Sequence, residues 1–385
     1  MPNGQLTDVV VVGGGVIGLA VAWRAAEHGM SVTLLERDTT GSGASHVAAG
    51  MLAPVAEVEF GEAGRQVLDL GLRSVGMWAA FASGLERAGD LEVGLRKTGT
   101  LVVARDEDEA RELERQLAFR DSLAVHTERL LPTVAREREP ALAPTVRLAL
   151  EAPDDHSVDP RRVLTALRSA CVSNGVNLRE HARVARLALD GTQTRVTGVV
   201  LDDGERVEGG QVVMAAGAWT GQIEGVPDRA RVPVRPVKGQ ILRLRDPAGP
   251  GLLERVVRFE GGYLVPRGDG RYVLGATVEE RGFESAPTAG GVYELLRDAY
   301  ELVPGVSELE IEELSVGLRP GTPDNAPVIG PGAIEGLIWA TGHYRNGILL
   351  APLTAELVVE ALTSNATQAG EAASGGVVSP SWVAS

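Results

Sequence analysis

Three glycines and one carboxylate near the start of the chain have the spacing of a dinucleotide site. In Gly13-x-Gly15-x-x-Gly18, the first glycine permits a tight turn and the second lets the backbone approach a pyrophosphate. The third lets a helix pack closely on a strand. A helix opening at Val16 and Ile17 presents free N–H groups and the positive end of its dipole to phosphates. Glu36 closes the next apolar run, where a carboxylate accepts hydrogen bonds from ribose hydroxyls and disfavours the 2′-phosphate of NADP. The spacing leaves FAD and NAD both open. Far downstream, Gly317-Leu318-Arg319-Pro320-Gly321-Thr322 and His343-Tyr344-Arg345-Asn346-Gly347-Ile348-Leu349-Leu350-Ala351-Pro352 set two arginines beside Gly/Pro turns.

The elements that must position these residues follow from periodicity. Residues 8–12 read as a buried parallel strand, 16–28 as a helix and 31–36 as the next strand, a βαβ unit. Helices are expected at 65–87, 106–120, 160–174, 290–302 and 347–363, and a strand at 309–316. Short β segments run from 182 to 215 around an Asp202-Asp203-Gly204 hairpin, with a buried strand at 212–217. Strands dominate again from 232 to 278, with a hairpin turn at Arg267–Arg271. Nucleotide-type β/α segments at both ends and in the middle, with β-rich segments between them, predict a discontinuous nucleotide domain and a separate sheet-based substrate domain. The expected division is 1–87, 150–225 and 315–363 for the first and 88–149 with 226–314 for the second. Residues 364–385, rich in Ser, Ala and Gly, read as a disordered tail.

Composition narrows the function. A net charge of −15 argues against nucleic acid and anionic membrane as partners. A lone cysteine, Cys171, excludes an internal disulfide framework and a multi-Cys metal site, and no metal is expected. Residues 9–26 are apolar, but Asp8 precedes them and glycines interrupt them, which suits strand–turn–helix and a cytoplasmic protein.

Gly41-Ser42-Gly43-Ala44-Ser45-His46-Val47-Ala48-Ala49-Gly50-Met51 and Val212-Val213-Met214-Ala215-Ala216-Gly217-Ala218-Trp219, with Val237-Lys238-Gly239-Gln240 and the two C-terminal segments, carry a resemblance. Over about residues 8–362 the chain resembles the D-amino acid oxidase and sarcosine oxidase superfamily of FAD-dependent amine oxidases, above all its glycine oxidases, which serve thiamine biosynthesis. The resemblance implies an α/β fold with a Rossmann-like FAD domain, discontinuous in sequence, and an inserted, mostly antiparallel substrate domain. It implies FAD contacts at Gly13, Gly15, Val16, Ile17, Gly18, Glu36 and Arg37, then at Ala44, Ser45, Ala49, Gly50 and Met51. Further contacts are implied at Val184, Gly217, His343, Tyr344, Arg345, Asn346, Gly347, Ile348 and Leu349. The FAD is expected to be non-covalent. Relatives that attach it carry histidine directly before Ala-Ala-Gly, whereas here Val47 follows His46, an ordinary loop residue on this reading. Cys171 reads as core.

The substrate pocket implied by the resemblance comprises Met51, Tyr263, Val278, Arg319 and Arg345, with Arg319, Tyr263 and Arg345 catalytic. A planar guanidinium grips a carboxylate bidentately, and Arg319 is expected in a loop stiffened by Pro320 and Gly321. Tyr263 would add a hydroxyl. Arg345 would contact substrate or flavin, or hold its loop by a salt bridge. Gly261, Gly262 and Val278 are small and predict a roomy pocket. The implied reaction passes hydride from a small amino acid (glycine, sarcosine or D-alanine) to FAD, giving an imino acid that hydrolyses to oxo acid and ammonia, with oxygen reduced to hydrogen peroxide. The alternatives are a dehydrogenase feeding a quinone or carrier, and a non-catalytic flavin-binding subunit. A homo-oligomer stays open.

Overall fold

A computed structural model describes residues 7–89 and 91–367. Two large sheets organise it. In the first, the strands run in the order Val328–Pro331, Leu337–Thr341, Arg206–Met214, Thr7–Val12, Val32–Leu35 and Asn177–Arg179. The four neighbour pairs from Leu337–Thr341 to Asn177–Arg179 are all parallel. Val9, Val10 and Val11 have no exposed surface, as a strand covered on both faces requires. The helices Val16–Glu27, Glu62–Gly89, Pro160–Ser173 and Gly347–Thr367 pack together on one face. Leu201 leads through the expected Asp202–Gly204 turn into Arg206–Met214, an antiparallel hairpin.

The second sheet, in the order Glu310–Gly321, Arg235–Arg245, Arg271–Gly275, Gly262–Pro266, Val256–Phe259, Thr100–Ala104, Leu148–Ala152 and Glu128–Leu130, is antiparallel but for one pair. This is the discontinuous nucleotide-binding fold with an inserted antiparallel sheet that the sequence predicts.

Several boundaries differ from expectation. The strand expected at 309–316 runs to Gly321, so Arg319 lies in a strand opposite Val237, not in a loop. A domain boundary at 315 would cut that strand. Arg206–Met214 ends earlier than the expected 212–217, and a 3-10 turn at Gly217–Gln222 follows. His46 belongs to the short helix Ala44–Val47 and not to a loop. The expected tail starts inside the last helix: residues 364–367 are helical, and the remainder lies outside the described residues. Gly347–Ser364 is long and apolar enough to cross a membrane, but 61% of it is buried inside the protein, as a core helix is.

Candidate active site

A cavity of about 730 Å³ runs between the two sheets, from the Gly13 turn to Tyr263 and Arg319. At the nucleotide end the backbone makes the site. Gly13 has φ +107°, and a Cβ there would lie 2.4 Å from the Ala215 carbonyl oxygen. At Gly18 a Cβ would lie 1.9 Å from the Gly13 carbonyl oxygen, so Gly18 sets the approach of helix to turn without facing the cavity. Glu36 is fixed at its strand end: Oε2 accepts from the Gly14 amide at 2.7 Å and Oε1 from the Asp38 amide at 2.9 Å. The Val16 amide donates to Ser45 Oγ at 3.0 Å, which ties the helix start to the segment 44–51. Gly15 has no capping side chain, so apart from the Val16 amide the helix N-terminus is left open to a phosphate. Arg37 stacks over Trp219 at 3.7 Å, a wall that the nucleotide motif alone does not announce.

Ala44, Ser45, Ala49, Gly50, Met51, Val184 and Gly217 line the middle of the cavity. Gly217 has φ +54°, and its position faces open space. The turn His343–Asn346 is closed by the Asn346 amide donating to the His343 carbonyl at 2.8 Å, and it aims the helix starting at Gly347 into the cavity. His343, Tyr344, Arg345, Gly347 and Ile348 line it; Asn346 and Leu349 do not. The Leu349 carbonyl instead accepts from Ser74 Oγ and Trp78 Nε1 at 2.6 and 2.9 Å, anchoring the helix in the core. Burial pushes the His343 imidazole down to about 3, with Nε2 3.0 Å from Thr354 Oγ1. His46 does not line the cavity. Cys171, pushed up to about 12 by burial, donates to the Leu19 carbonyl in the core.

At the far end the site is made of charged side chains. The Arg319 guanidinium donates to the Thr277 carbonyl at 3.1 Å and lies over Gly239, where a Cβ would meet Nη1 at 2.4 Å. Gly239 is therefore the absent side chain that makes room for Arg319. Tyr263 faces Gly275 on the neighbouring strand, and burial pushes its phenol above the usual range, partly offset by Arg319. Gly261 and Gly262 border it, and Val278 is 63% exposed at the rim. Arg345 pairs with Glu59, and lies 3.8 Å from Glu57, which also faces Arg258 at 3.7 Å. The salt-bridge reading of Arg345 thus describes its contacts here. Glu57 and Arg258, both on the cavity wall, escaped sequence reasoning because no motif spaces them.

The sequence profile of the FAD dependent oxidoreductase (DAO) family matches residues 8–361. The chain belongs to this family. Among its relatives, the glycine oxidase of Geobacillus kaustophilus is 36% identical over 92% of each chain. A Geobacillus kaustophilus glycine oxidase crystal structure superposes with a TM-score of 0.86 at 35% identity, covering 94% of this chain and 95% of that one. The bifunctional protein ThiO/ThiG of Synechocystis sp. is 38% identical over 91% of this chain, but the chain spans only 51% of that protein's length. FAD is the family's cofactor, and the residues present fit it. The glycine cradle, the open helix N-terminus and the Glu36 carboxylate suit the adenosine diphosphate half, and the same cavity continues along Ala44–Met51 and Gly217 to Tyr263 and Arg319.

Proposed function

We propose that the chain is a glycine oxidase: an FAD-dependent oxidase of glycine, with sarcosine and D-alanine as further small substrates, yielding imino or oxo acid, ammonia and hydrogen peroxide. The observation that carries this reading is the convergence of Arg319, Tyr263 and the glycine edge Gly261–Gly262 at one end of a cavity whose other end is the Gly13–Glu36 cradle. Bound FAD supplies the two-electron acceptor. Arg319 takes the substrate carboxylate in a bidentate pair, its guanidinium already oriented by the Thr277 carbonyl. Tyr263 adds a hydroxyl donor and, being buried, stays protonated. Holding the carboxylate fixes the Cα–H relative to the cavity middle, and positioning of this kind supplies several kcal/mol of a barrier. The helix N-terminus at Gly347 favours negative charge developing beside it. In the same proposal Arg345 steadies the rim through Glu57 and Glu59, the FAD is non-covalent, the domains divide near the expected boundaries except that the one at 315 moves past the strand Glu310–Gly321, and the protein works in the cytoplasm, where its product serves thiazole formation for thiamine.

The test measures peroxide formation and oxygen uptake with glycine, sarcosine and D-alanine, with an artificial dye acceptor in parallel. Peroxide from glycine at rates matching the dye supports the proposal. Dye reduction without oxygen uptake makes the protein a dehydrogenase and defeats it.

A further inference from the structure

A second cavity, of about 590 Å³, is lined by five arginines (Arg161, Arg162, Arg243, Arg267 and Arg271) and four carboxylates (Glu92, Asp159, Glu312 and Glu313). The charges do not cancel locally. Glu313 is taken by Arg161 at 2.6 Å and by Ser315, which hold its carboxyl down to about 2. Glu312 pairs at 2.6 Å with Arg245, outside the cavity, and Arg271 pairs at 2.7 Å with Asp269. That leaves three cations under-compensated. Among the described residues, the carboxylates within 4 Å of Arg162 are Asp159 at 3.9 Å and Glu92 at 4.0 Å. Arg243, 11% exposed, has Glu313 at 3.9 Å, and its buried Nε has no hydrogen-bond partner among the described residues. Arg267 gives its hydrogen bonds to the backbone, to the Val158 and Ala49 carbonyls at 2.9 and 2.8 Å. Burial and crowding show in both buried groups: Arg243 is pushed below its ordinary range and Arg267 down to about 10. An anion is the missing partner.

We propose that this cavity binds a phosphorylated small molecule, its phosphate held by Arg162, Arg243 and Arg267 and the rest of the ligand lying against Leu91, which is 41% exposed. A phosphate dianion brings three acceptor oxygens and up to two charges to three guanidiniums, whereas a carboxylate brings two oxygens and one charge. The volume lies within the range of small-molecule sites, and the exposed Leu91 side chain offers an apolar contact that a bare oxyanion does not need. The site also touches the flavin cleft through one backbone segment. Arg243 donates to the His46 carbonyl at 2.8 Å and Arg267 to that of Ala49, while Val47, Ala48 and Ala49 line the first cavity. A ligand that draws these guanidiniums toward itself loosens their hold on the flavin-side wall.

The test uses the FAD-loaded protein, so that the dinucleotide cradle is filled. Calorimetric titration at constant ionic strength compares ribose 5-phosphate, inorganic phosphate and acetate. Ribose 5-phosphate is expected to bind saturably, one per chain, at least tenfold tighter than acetate, with a small shift of the flavin absorbance band. Tighter binding of the ester than of inorganic phosphate assigns the Leu91 contact to the ligand; equal binding overturns that part. Arg162→Gln, at a side chain 44% exposed, should weaken binding about tenfold with unchanged basal turnover. Thr165→Glu, which sets a negative charge on the cavity wall, should do the same and serves if the first variant misfolds. Absence of saturable binding, or wild-type affinity in a folded variant, overturns the proposal.

Discussion

The two ends of the main cavity are built on opposite plans. At the nucleotide end the chain withholds side chains: Gly13 and Gly18 let turn, helix and neighbouring strand approach, and on the proposed reading the recognition of FAD is left to amides and to Glu36. At the other end, the substrate end of the proposal, the chain supplies large polar groups, Arg319, Tyr263, Arg345, Glu57 and Arg258, and beside the glycine edge Gly261–Gly262 it leaves at Gly239 the space that Arg319 fills. Damage to the first end should therefore be structural and cost the cofactor. Damage to the second should be chemical and leave the cofactor in place.

The sharpest division comes from Arg319→Ala. If Arg319 grips the substrate carboxylate as proposed, its removal should lower kcat/KM by about a thousandfold, while the purified protein keeps its flavin absorbance, because the guanidinium's own contacts are with Thr277 and Lys238. Loss of flavin in this variant would break the contrast. Gly18→Ala tests the other end. Its methyl would sit 1.9 Å from the Gly13 carbonyl oxygen, so helix and turn must part, at about 3 kcal/mol in a denaturant titration and with loss of bound FAD. Tyr263→Phe is milder: deletion of one hydroxyl should raise KM for glycine about tenfold with kcat nearly kept. An equal fall in kcat would instead give that hydroxyl a role at the barrier.

The same contrast explains what could be read from residue order. The Gly13–Glu36 unit is local, so strand, turn, helix and carboxylate follow from spacing, and Val9–Val12 declares its burial by composition. The substrate end depends on pairings between distant strands. Pro320 and Gly321 resemble a loop, yet they continue a strand because Glu310–Gly321 is at the sheet edge, where a proline's missing donor costs nothing; Pro320 faces Pro236 across the pair. Glu57 meets Arg258 and Arg345 only through tertiary folding, so no periodicity marks it. Thr100–Ala104, Glu128–Leu130 and Leu148–Ala152 are short strands with no turn motif to set them off, and the inserted sheet was legible in kind more than in its strand order.

His343 stands where the two plans meet, and it gives the smallest effect. Its imidazole is buried and held near 3, against an ordinary 6.5. The folded state therefore stays neutral between those values while the unfolded chain takes up a proton. Stability from this group is complete above pH 6.5 and falls as the pH drops toward 3. From pH 7 to pH 6 the loss is about 1 kcal/mol. Asp155, fully buried and pushed up to about 7, has the opposite slope: its folded state favours the protonated form, an advantage complete below 3.8 and lost as the pH rises through 7. The two slopes partly cancel in the wild type, so the difference between proteins is the proper readout. His343→Gln can keep a hydrogen bond to Thr354 but carries no titrating ring. In saturating FAD, the stability gap between wild type and this variant should narrow by about 1 kcal/mol on going from pH 7 to pH 6. A constant gap would mean that His343 titrates normally, and that the helix start at Gly347 is open to water.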